Sequence, residues 1–124
     1  MSDVSDVSNG GKGEARDGSR AEALAAAYLA DHGLAIVERN YRCRFGEIDL
    51  IARDGEALVF VEVRMRSSAR FGGAAASITA AKRTKLLRAA RHYLAGVARA
   101  PACRFDAVLV DAGAVEWIKD AFGE

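Results

Sequence analysis

The chain has 124 residues, of which 51% are hydrophobic and 28% charged, and this is the size and composition of one globular domain. No segment approaches the roughly 18 consecutive apolar residues of a membrane helix, and the first residues lack the basic and then apolar pattern of a secretory signal. Cys43 and Cys103 are too far apart, and the histidines too few, for a zinc site of the usual spacing. We therefore expect a cytoplasmic protein with reduced thiols and no membrane partner.

Residues 1–17 are polar and without periodicity, so they are predicted to be a disordered lead-in to a single domain over residues 18–124. The net charge of +1 conceals a basic segment, because Arg64 to Arg99 contains nine Lys or Arg residues and no Asp or Glu. Such a run is usually a solvated helix face, but beside a metal site it would suit the backbone of a nucleic acid. The candidate nucleic-acid contacts are Arg66, Arg70, Arg83, Lys85, Arg88 and Arg91.

A first helix is predicted to begin near Gly18 or Ser19 and to end at Gly33. Ser19 would be its N-cap and Glu22 the acidic residue of a capping box. Glu22 therefore has two interpretations, a helix cap or a member of a functional site. The apolar stripe of this helix is predicted to be Leu24, Ala27 and Tyr28, and the strand that follows over residues 34–42 should pack through Ile36, Val37 and Tyr41.

A β-hairpin is the next predicted element. Residues 46–53 and 56–64 are rich in β-branched and aromatic side chains, and the dipeptide Asp54-Gly55 between them is typical of two-residue hairpin loops. A loop of this kind pairs Arg53 with Glu56 and thereby sets the register. The resulting opposite pairs are Leu50 with Val59, Asp49 with Phe60, and Glu47 with Glu62.

This register turns three acids, Glu47, Asp49 and Glu62, to one face of the hairpin together with Arg64. The other face would carry Ile48, Leu50, Val59, Val61 and Val63. Acids placed so close are either solvated, neutralised by Arg64, or ligands of a hard divalent cation. The strands are apolar enough to be central, which favours Mg²⁺ or Mn²⁺ with water and substrate phosphate in the remaining positions. A three-residue loop would instead send Glu62 to the opposite face.

After a small, flexible loop over residues 67–77, a second helix is predicted from Thr79, its N-cap, to about Val97. Lys82 precedes Leu86 on the buried stripe of this helix by one turn, so its side chain should point inward near the start of the helix. A lysine in this position usually extends its ammonium group to solvent, but this one could reach the acids if the helix packs over the hairpin. Arg88 and Arg91 should face solvent. The stripe itself is Leu86, Ala90, Tyr93, Leu94 and Val97, and two further strands are predicted over residues 104–110 and 115–119. The order helix, three strands, helix, two strands indicates an α/β or α+β domain with a mixed sheet flanked by helices.

Several separated motifs resemble one known family. The motifs are Gly46–Ile51, Val59–Arg64, Phe71–Ser77, Lys82, Arg104–Asp106 and Glu116–Phe122, and they resemble the YraN family of small bacterial proteins over about residues 18–122. That family is similar to Holliday junction resolvases and to restriction endonucleases of the PD-(D/E)xK type. The resemblance implies a restriction-endonuclease-like mixed sheet of about five strands. It also implies that Asp49 and Glu62 are the signature acids and that Glu22 corresponds to the helical glutamate of the resolvases.

The chain departs from that signature at Arg64, where the pattern has Lys. Arginine stays protonated, so it would stabilise charge on a phosphate but would not act as a base, and Lys82 is the candidate replacement amine. The resemblance supports two hypotheses: a metal-dependent endonuclease acting on DNA, with branched DNA as the resolvase-like substrate, and a non-catalytic nucleic-acid-binding or adaptor module. Because resolvases act as two-fold dimers, a homodimer is the assembly to test. The predicted catalytic residues are Asp49, Glu62, Arg64 and Lys82, and the predicted metal ligands are Asp49, Glu62, Glu22 and Glu47.

Overall fold

The computed structural model of the protein describes residues 13–65, 79–97, 99, 101–111 and 114–121. In chain order its elements are α1 (Gly13–Asp31), β1 (Ala35–Cys43), β2 (Gly46–Asp54), β3 (Ala57–Met65), α2 (Ala80–Leu94), β4 (Cys103–Asp111) and β5 (Ala114–Ile118). The predicted order of helix, three strands, helix and two strands is confirmed. The predicted lead-in up to residue 12 and the predicted loop over residues 67–77 lie outside the described residues.

The five strands form one sheet in the order β1-β2-β3-β4-β5. β3 and β4 run parallel, whereas the other neighbouring pairs are antiparallel, so the predicted mixed sheet is confirmed. Parallel neighbours require a crossover connection, and the chain between β3 and β4 contains α2. This arrangement leaves β3 in the middle of the sheet and β1 and β5 at its edges.

The two helices cover opposite faces of the sheet. On one face, the buried Ala25 and Leu29 of α1 pack with sheet side chains that include Leu50, Val61 and Val108. On the other face, the buried Leu86 and Ala89 of α2 pack with sheet side chains that include Ile51, Phe60 and Phe105. Neighbouring residues of the central strands are thus divided between two apolar layers, as expected for strands that are covered on both faces.

The register of the hairpin formed by β2 and β3 differs from the prediction. Asp54 pairs with Ala57, so the turn residues are Gly55 and Glu56 rather than Asp54 and Gly55. Gly55 has a φ of +64°, which suits the first central position of a type II′ turn. Each β2 residue consequently lies opposite a β3 residue two positions beyond the predicted one. A shift of two does not change which face a side chain occupies, because facing alternates with a period of two.

The face of the sheet on which Ile48 lies was also predicted wrongly, for a separate reason. Ile48 was expected beside Leu50, yet Leu50 packs in the layer under α1 and Ile48 packs in the layer under α2 with Ile51. A regular strand would place residues two apart on one face. The alternation of β2 is therefore interrupted between Ile48 and Leu50, at Asp49.

The start of α1 was also predicted wrongly. The helix begins at Gly13 rather than near Gly18 or Ser19, since Glu14, Ala15 and Arg16 favour helix. Ser19 consequently lies within the helix, and the predicted capping box, which gave Glu22 a structural role, does not exist. Small side chains fill the buried face of α1, which consists of Ala21, Ala25, Ala26 and Leu29.

Three side chains that were expected to pack are instead exposed. Leu24 of α1 has 38% of its surface exposed and Val37 of β1 has 42%, and Ala27 of α1 is exposed as well. The buried face of α1 is made largely of other alanines, which let the helix lie close to the sheet. In β1 the pairing with β2 shifts between Ile36 and Glu38, so Val37 falls at an irregularity of an edge strand.

The second helix, α2, begins where it was predicted to begin. Thr79 is the N-cap, and its hydroxyl accepts a hydrogen bond from the backbone N–H of Lys82 at 3.2 Å. The helix ends at Leu94 rather than near Val97. Among the described residues, no helix combines the length and the apolar character needed to cross a membrane.

Candidate functional site

The site lies where β2 and β3 open at one end of the sheet. Their pairing runs from the turn as far as Leu50 opposite Val61, and the continuation of this register places Asp49 opposite Glu62. There the backbone N–H of Val63 donates a hydrogen bond of 2.8 Å to Oδ2 of Asp49. The side chain of Asp49 thus occupies the space between the two strands and is held there by the backbone of β3.

Glu62 is the second acid of the site and is almost fully buried, with 7% of its surface exposed. Its Oε2 lies 3.1 Å from Nζ of Lys82 and 3.7 Å from Nη1 of Arg64. Buried carboxylates need such partners, because an unpaired charge away from water is strongly unfavourable. The inward orientation predicted for Lys82 from helical spacing brings its ammonium group to Glu62.

A pocket of about 530 Å³ joins these groups. Of the residues predicted to be catalytic or metal-binding, it is lined by Glu47, Asp49, Glu62, Arg64 and Lys82. They come from β2, β3 and the first turn of α2, so the pocket depends on how that helix packs over the hairpin. The structure brings all of these predicted residues together, whereas Glu22 lines a neighbouring pocket of about 290 Å³.

Asp49 carries the most perturbed carboxyl group of the site. Burial is the main cause that raises its pKa, the negative charges of Glu62, Glu22 and Glu47 also raise it, and the resulting pKa is about 7. The hydrogen bond from Val63 acts in the opposite direction because it favours the charged form. At neutral pH the group is therefore partly protonated, and a cation placed beside it would favour the ionised form.

Glu22 approaches the site from α1, on the opposite side from Lys82. Burial raises the pKa of Glu22, and hydrogen bonding with the side chains of Asn40 and Asp49 opposes the increase.

Glu47 lies at the rim of the pocket rather than in its interior. Its side chain is 49% exposed, and its Oε1 lies 3.2 Å from Nε of Arg42. In the described part of the chain, no three Asp, Glu, His or Cys side chains are grouped so that they could hold one metal ion. The described protein groups therefore offer at most two carboxylates, Asp49 and Glu62, to a shared ion, and further ligands would have to come from water or substrate.

The predicted nucleic-acid contacts are only partly described. Arg83, Lys85, Arg88 and Arg91 are exposed residues of α2, and Lys85 also lines the larger pocket. Arg66 and Arg70 lie outside the described residues, so their prediction stays open.

Sequence reasoning missed three residues at this end of the sheet. Arg42 lines the pocket and pairs with Glu47, and Gly46 lets the turn between β1 and β2 approach α2. Gly46 has a φ of +146°, and a Cβ built there would lie 3.4 Å from Cβ of Lys85. Asn40 contacts Glu22 and has a left-handed backbone with a φ of +54°. Arg42 could have been predicted as a site residue, because it lies just before the motif Gly46–Ile51 that carries the acids. The position of Asn40 near Glu22 depends on tertiary packing and could not have been predicted in this way.

Comparison with known proteins places these residues in a wider group. A family model described as "Uncharacterised protein family UPF0102" matches residues 21–110. A UPF0102 protein of Nitrosomonas europaea is 62% identical over 110 residues, which cover 86% of this chain and 93% of that protein. One from Nitrosospira multiformis is 59% identical over 108 residues, covering 85% and 91%, and one from Cupriavidus metallidurans is 57% identical over 108 residues, covering 86% and 81%. The residues matched by the family model include all those that line the two pockets.

Proposed function

This chain belongs to the uncharacterised protein family UPF0102, the family that its motifs resemble, and we propose that it is a metal-dependent endonuclease acting on DNA. The observation that carries the proposal is the pairing of two acids, Asp49 and Glu62, at the opening between β2 and β3, in one pocket with Lys82 and Arg64. Two carboxylates, an ammonium and a guanidinium are the groups that phosphodiester cleavage uses.

The donor set of the pocket fits Mg²⁺ or Mn²⁺. These ions prefer oxygen ligands, and Mg²⁺ commonly takes one or two carboxylates and completes its shell with water and substrate phosphate. Asp49 is also crowded by other acids, and this raises its pKa, so a dication held by Asp49 and Glu62 would relieve their repulsion. When bound, the ion would neutralise charge on the phosphate and ease the deprotonation of water.

The two cations of the site would have separate tasks. Arg64 keeps its charge at every physiological pH, so its guanidinium would stabilise the charge that develops on the phosphate during cleavage. Lys82 donates a hydrogen bond of 3.1 Å to Glu62, which orients that acid toward the pocket. The ammonium of Lys82 thereby takes the place of the amine that the signature has at position 64.

The exposed basic face of α2 would bind the substrate backbone. Lys85 lines the pocket, and Arg88 and Arg91 continue the basic face along the helix. Contacts of this kind bind phosphates without regard to base sequence and weaken steeply with salt. They would hold a strand of DNA across the entrance of the pocket.

The proposal is tested by incubating the protein with linear, nicked, flap and four-way junction DNA in Mg²⁺ or Mn²⁺. We expect cleavage of at least one substrate and a loss of about 100-fold or more in Asp49→Asn, which keeps the acceptor for the Val63 N–H but removes the charge. Arg53→Gln is the matched control for surface charge, because Arg53 is exposed at the turn end of β2. Cleavage that survives Asp49→Asn would point to a contaminating nuclease and overturn the proposal.

A second measurement separates cleavage from binding. Neutralising Arg88 and Arg91 to Gln should weaken DNA binding and reduce the slope of log affinity against log salt by about 1 for each phosphate contact that is lost. Binding with this salt dependence, but without product in either metal, would replace the nuclease with a non-catalytic nucleic-acid-binding module that retains the fold.

A further inference from the structure

An aromatic ring and a guanidinium occupy the turn that joins β1 to β2. β1 ends at Cys43 and β2 begins at Gly46, and these two residues pair with each other, so the turn consists of Arg44 and Phe45. Two-residue turns of this kind usually take glycine, asparagine or aspartate, because the common types need a positive φ. Neither Arg44 nor Phe45 has a positive φ. The backbone of the turn therefore does not account for a large aromatic and a charged side chain at its tip.

The ring of Phe45 is set apart from the apolar core. It is partly exposed, and among the described residues it is not one of the partly buried hydrophobic side chains that pack against either apolar layer. The guanidinium carbon of Arg44 lies 5.0 Å from the centre of the ring. On α2, the exposed His92 meets the same ring edge-on, with 5.7 Å between the ring centroids. A partly exposed ring beside a planar cation is the kind of surface on which a nucleobase stacks.

The contacts of His92 give this surface a fixed place. Nδ1 of His92 lies 2.6 Å from the hydroxyl oxygen of Tyr41, and the ring of Tyr41 packs against the apolar layer under α2. The ring of Tyr41 also meets that of Tyr93 edge-on, with 5.2 Å between the centroids. We call Tyr41, Arg44, Phe45 and His92 the aromatic cluster. It joins the turn between β1 and β2 to the last part of α2 and is anchored in the core through Tyr41.

The aromatic cluster adjoins the larger pocket. Cys43 and Gly46, the two residues that flank the turn, both line that pocket. A Cβ built on Gly46 would lie 3.4 Å from Cβ of Lys85, and Lys85 lines the pocket as well. The turn that carries the cluster is therefore part of the wall of the pocket.

A row of basic and imidazole side chains on α2 connects the pocket to the cluster. Lys85, Arg88 and His92 are exposed, and their spacing of three and four residues places them along one side of the helix. Lys85 lines the pocket, and His92 contacts the cluster. The row covers about 10 Å along the helix axis, which is the length of about three stacked nucleotides of one strand.

We propose that the aromatic cluster binds an unpaired nucleobase of the DNA substrate, which stacks on the ring of Phe45 and the guanidinium of Arg44. The backbone of the same strand follows Lys85 and Arg88 to the pocket. The preferred substrate is then DNA with a single-stranded segment next to the cleaved bond, such as a flap or a gap, because bases inside a duplex are stacked on their neighbours and have no free face. This inference rests on the proposed function, since it requires that the pocket receives DNA.

The stacking is tested by measuring binding in EDTA, where no metal-dependent cleavage occurs. The probes are a short oligothymidine, a strand of equal length made of abasic deoxyribose phosphates, and a duplex. The abasic strand keeps the phosphates and lacks the bases, and Phe45→Leu keeps an apolar side chain and removes the flat ring. We expect Phe45→Leu to weaken binding of oligothymidine by about 10-fold and to leave binding of the abasic strand and of the duplex unchanged.

Two further variants separate stacking from a change in folding. Arg44→Lys keeps the charge at an exposed position and removes the planar guanidinium, so it should weaken binding of oligothymidine by about threefold without changing the salt dependence. Tyr28→Leu is the matched control. Tyr28 also pairs with an exposed histidine, His32, at 4.1 Å between centroids, but it belongs to α1 and lines neither pocket. This variant should bind the three probes as the wild type does.

The outcomes separate the inference from the proposed function. An equal loss of affinity for oligothymidine and for the abasic strand in Phe45→Leu would overturn the proposal, because the ring would then only hold the basic residues in place. Base-dependent binding without cleavage of any DNA in Mg²⁺ or Mn²⁺ would support the stacking surface and reject the nuclease. Cleavage that depends on Asp49, together with wild-type binding by Phe45→Leu, would support the nuclease and overturn the stacking surface.

Discussion

Two acids on strands that flank β3, the partly buried Asp49 in β2 and the buried Asp106 in β4, have opposite surroundings. Asp106 is fully buried, with 0% of its surface exposed. Four donors contact its carboxylate, each at 2.9 Å: Nε and Nη2 of Arg104, Nε1 of Trp117 and the backbone N–H of Asp120. Asp49 receives one backbone hydrogen bond and is surrounded by other acids. The carboxylate of Asp106 is thus surrounded by hydrogen-bond donors, whereas that of Asp49 has one backbone donor and acidic neighbours.

The contacts of Asp106 extend across the sheet. Arg104 also donates from Nη1 to Oδ2 of Asp54 at 3.0 Å, so it connects β4 to the turn end of β2. Its hydrogen bonds to Asp106 are the main cause that raises the pKa of Arg104. Trp117 links the same acid to the edge strand β5. This network connects the turn end of β2, the strand β4 and the edge strand β5 through one carboxylate.

The largest expected effect is therefore on stability and comes from Asp106. Asp106→Ala removes the main partner of the partly buried Arg104 and the acceptor of the Trp117 and Asp120 N–H groups, and it should lower the free energy of unfolding by about 3–5 kcal/mol. Urea denaturation checks this value, and Asp54→Ala is the matched control because it removes only the outer contact of Arg104. Equal losses in the two variants would show that Asp106 stabilises the fold no more than the outer contact does.

In the metal-free protein, ionisation of Asp49 is expected to lower the stability of the fold, and this effect depends on pH. The pKa of Asp49 is raised from its usual 3.8 to about 7, so its contribution to stability is fully present below the usual value and is lost as the pH rises through about 7. Between pH 5 and pH 8 the wild type should lose on the order of 2 kcal/mol relative to Asp49→Asn. Denaturation curves of both proteins at the two pH values measure this difference, and a constant difference would show that Asp49 is not perturbed.

The smallest effect is expected at the rim of the pocket, where Arg42 pairs with Glu47. The two side chains are 74% and 49% exposed, so solvent and salt screen their attraction. A double-mutant cycle with Arg42→Gln and Glu47→Gln should give less than about 1 kcal/mol of coupling, decreasing further in high salt. A coupling as large as that of Asp106 with Arg104 would mean that the rim is organised as tightly as the buried network.

Much of the site followed from periodicity. The shift of two residues in the hairpin register kept Asp49 and Glu62 on neighbouring strands and in one pocket, whereas the interruption of the alternation of β2 at Asp49 was not predicted. The inward orientation of Lys82 followed from its spacing to Leu86 on a helix. The turn itself was misplaced because Asp54-Gly55-Glu56 allows glycine in either central position of a two-residue loop.

The amino-acid sequence by itself determined the order of the elements, the mixed sheet and the grouping of acids with basic residues, because these depend on local spacing and hydrophobic pattern. The tertiary structure alone decided that Asp106 accepts four hydrogen bonds while Asp49 accepts one from the backbone, and that Glu22 approaches Asp49 from the opposite helix. Those properties depend on contacts between residues far apart in the chain and on exclusion of water, and neither is encoded in the spacing of neighbouring residues.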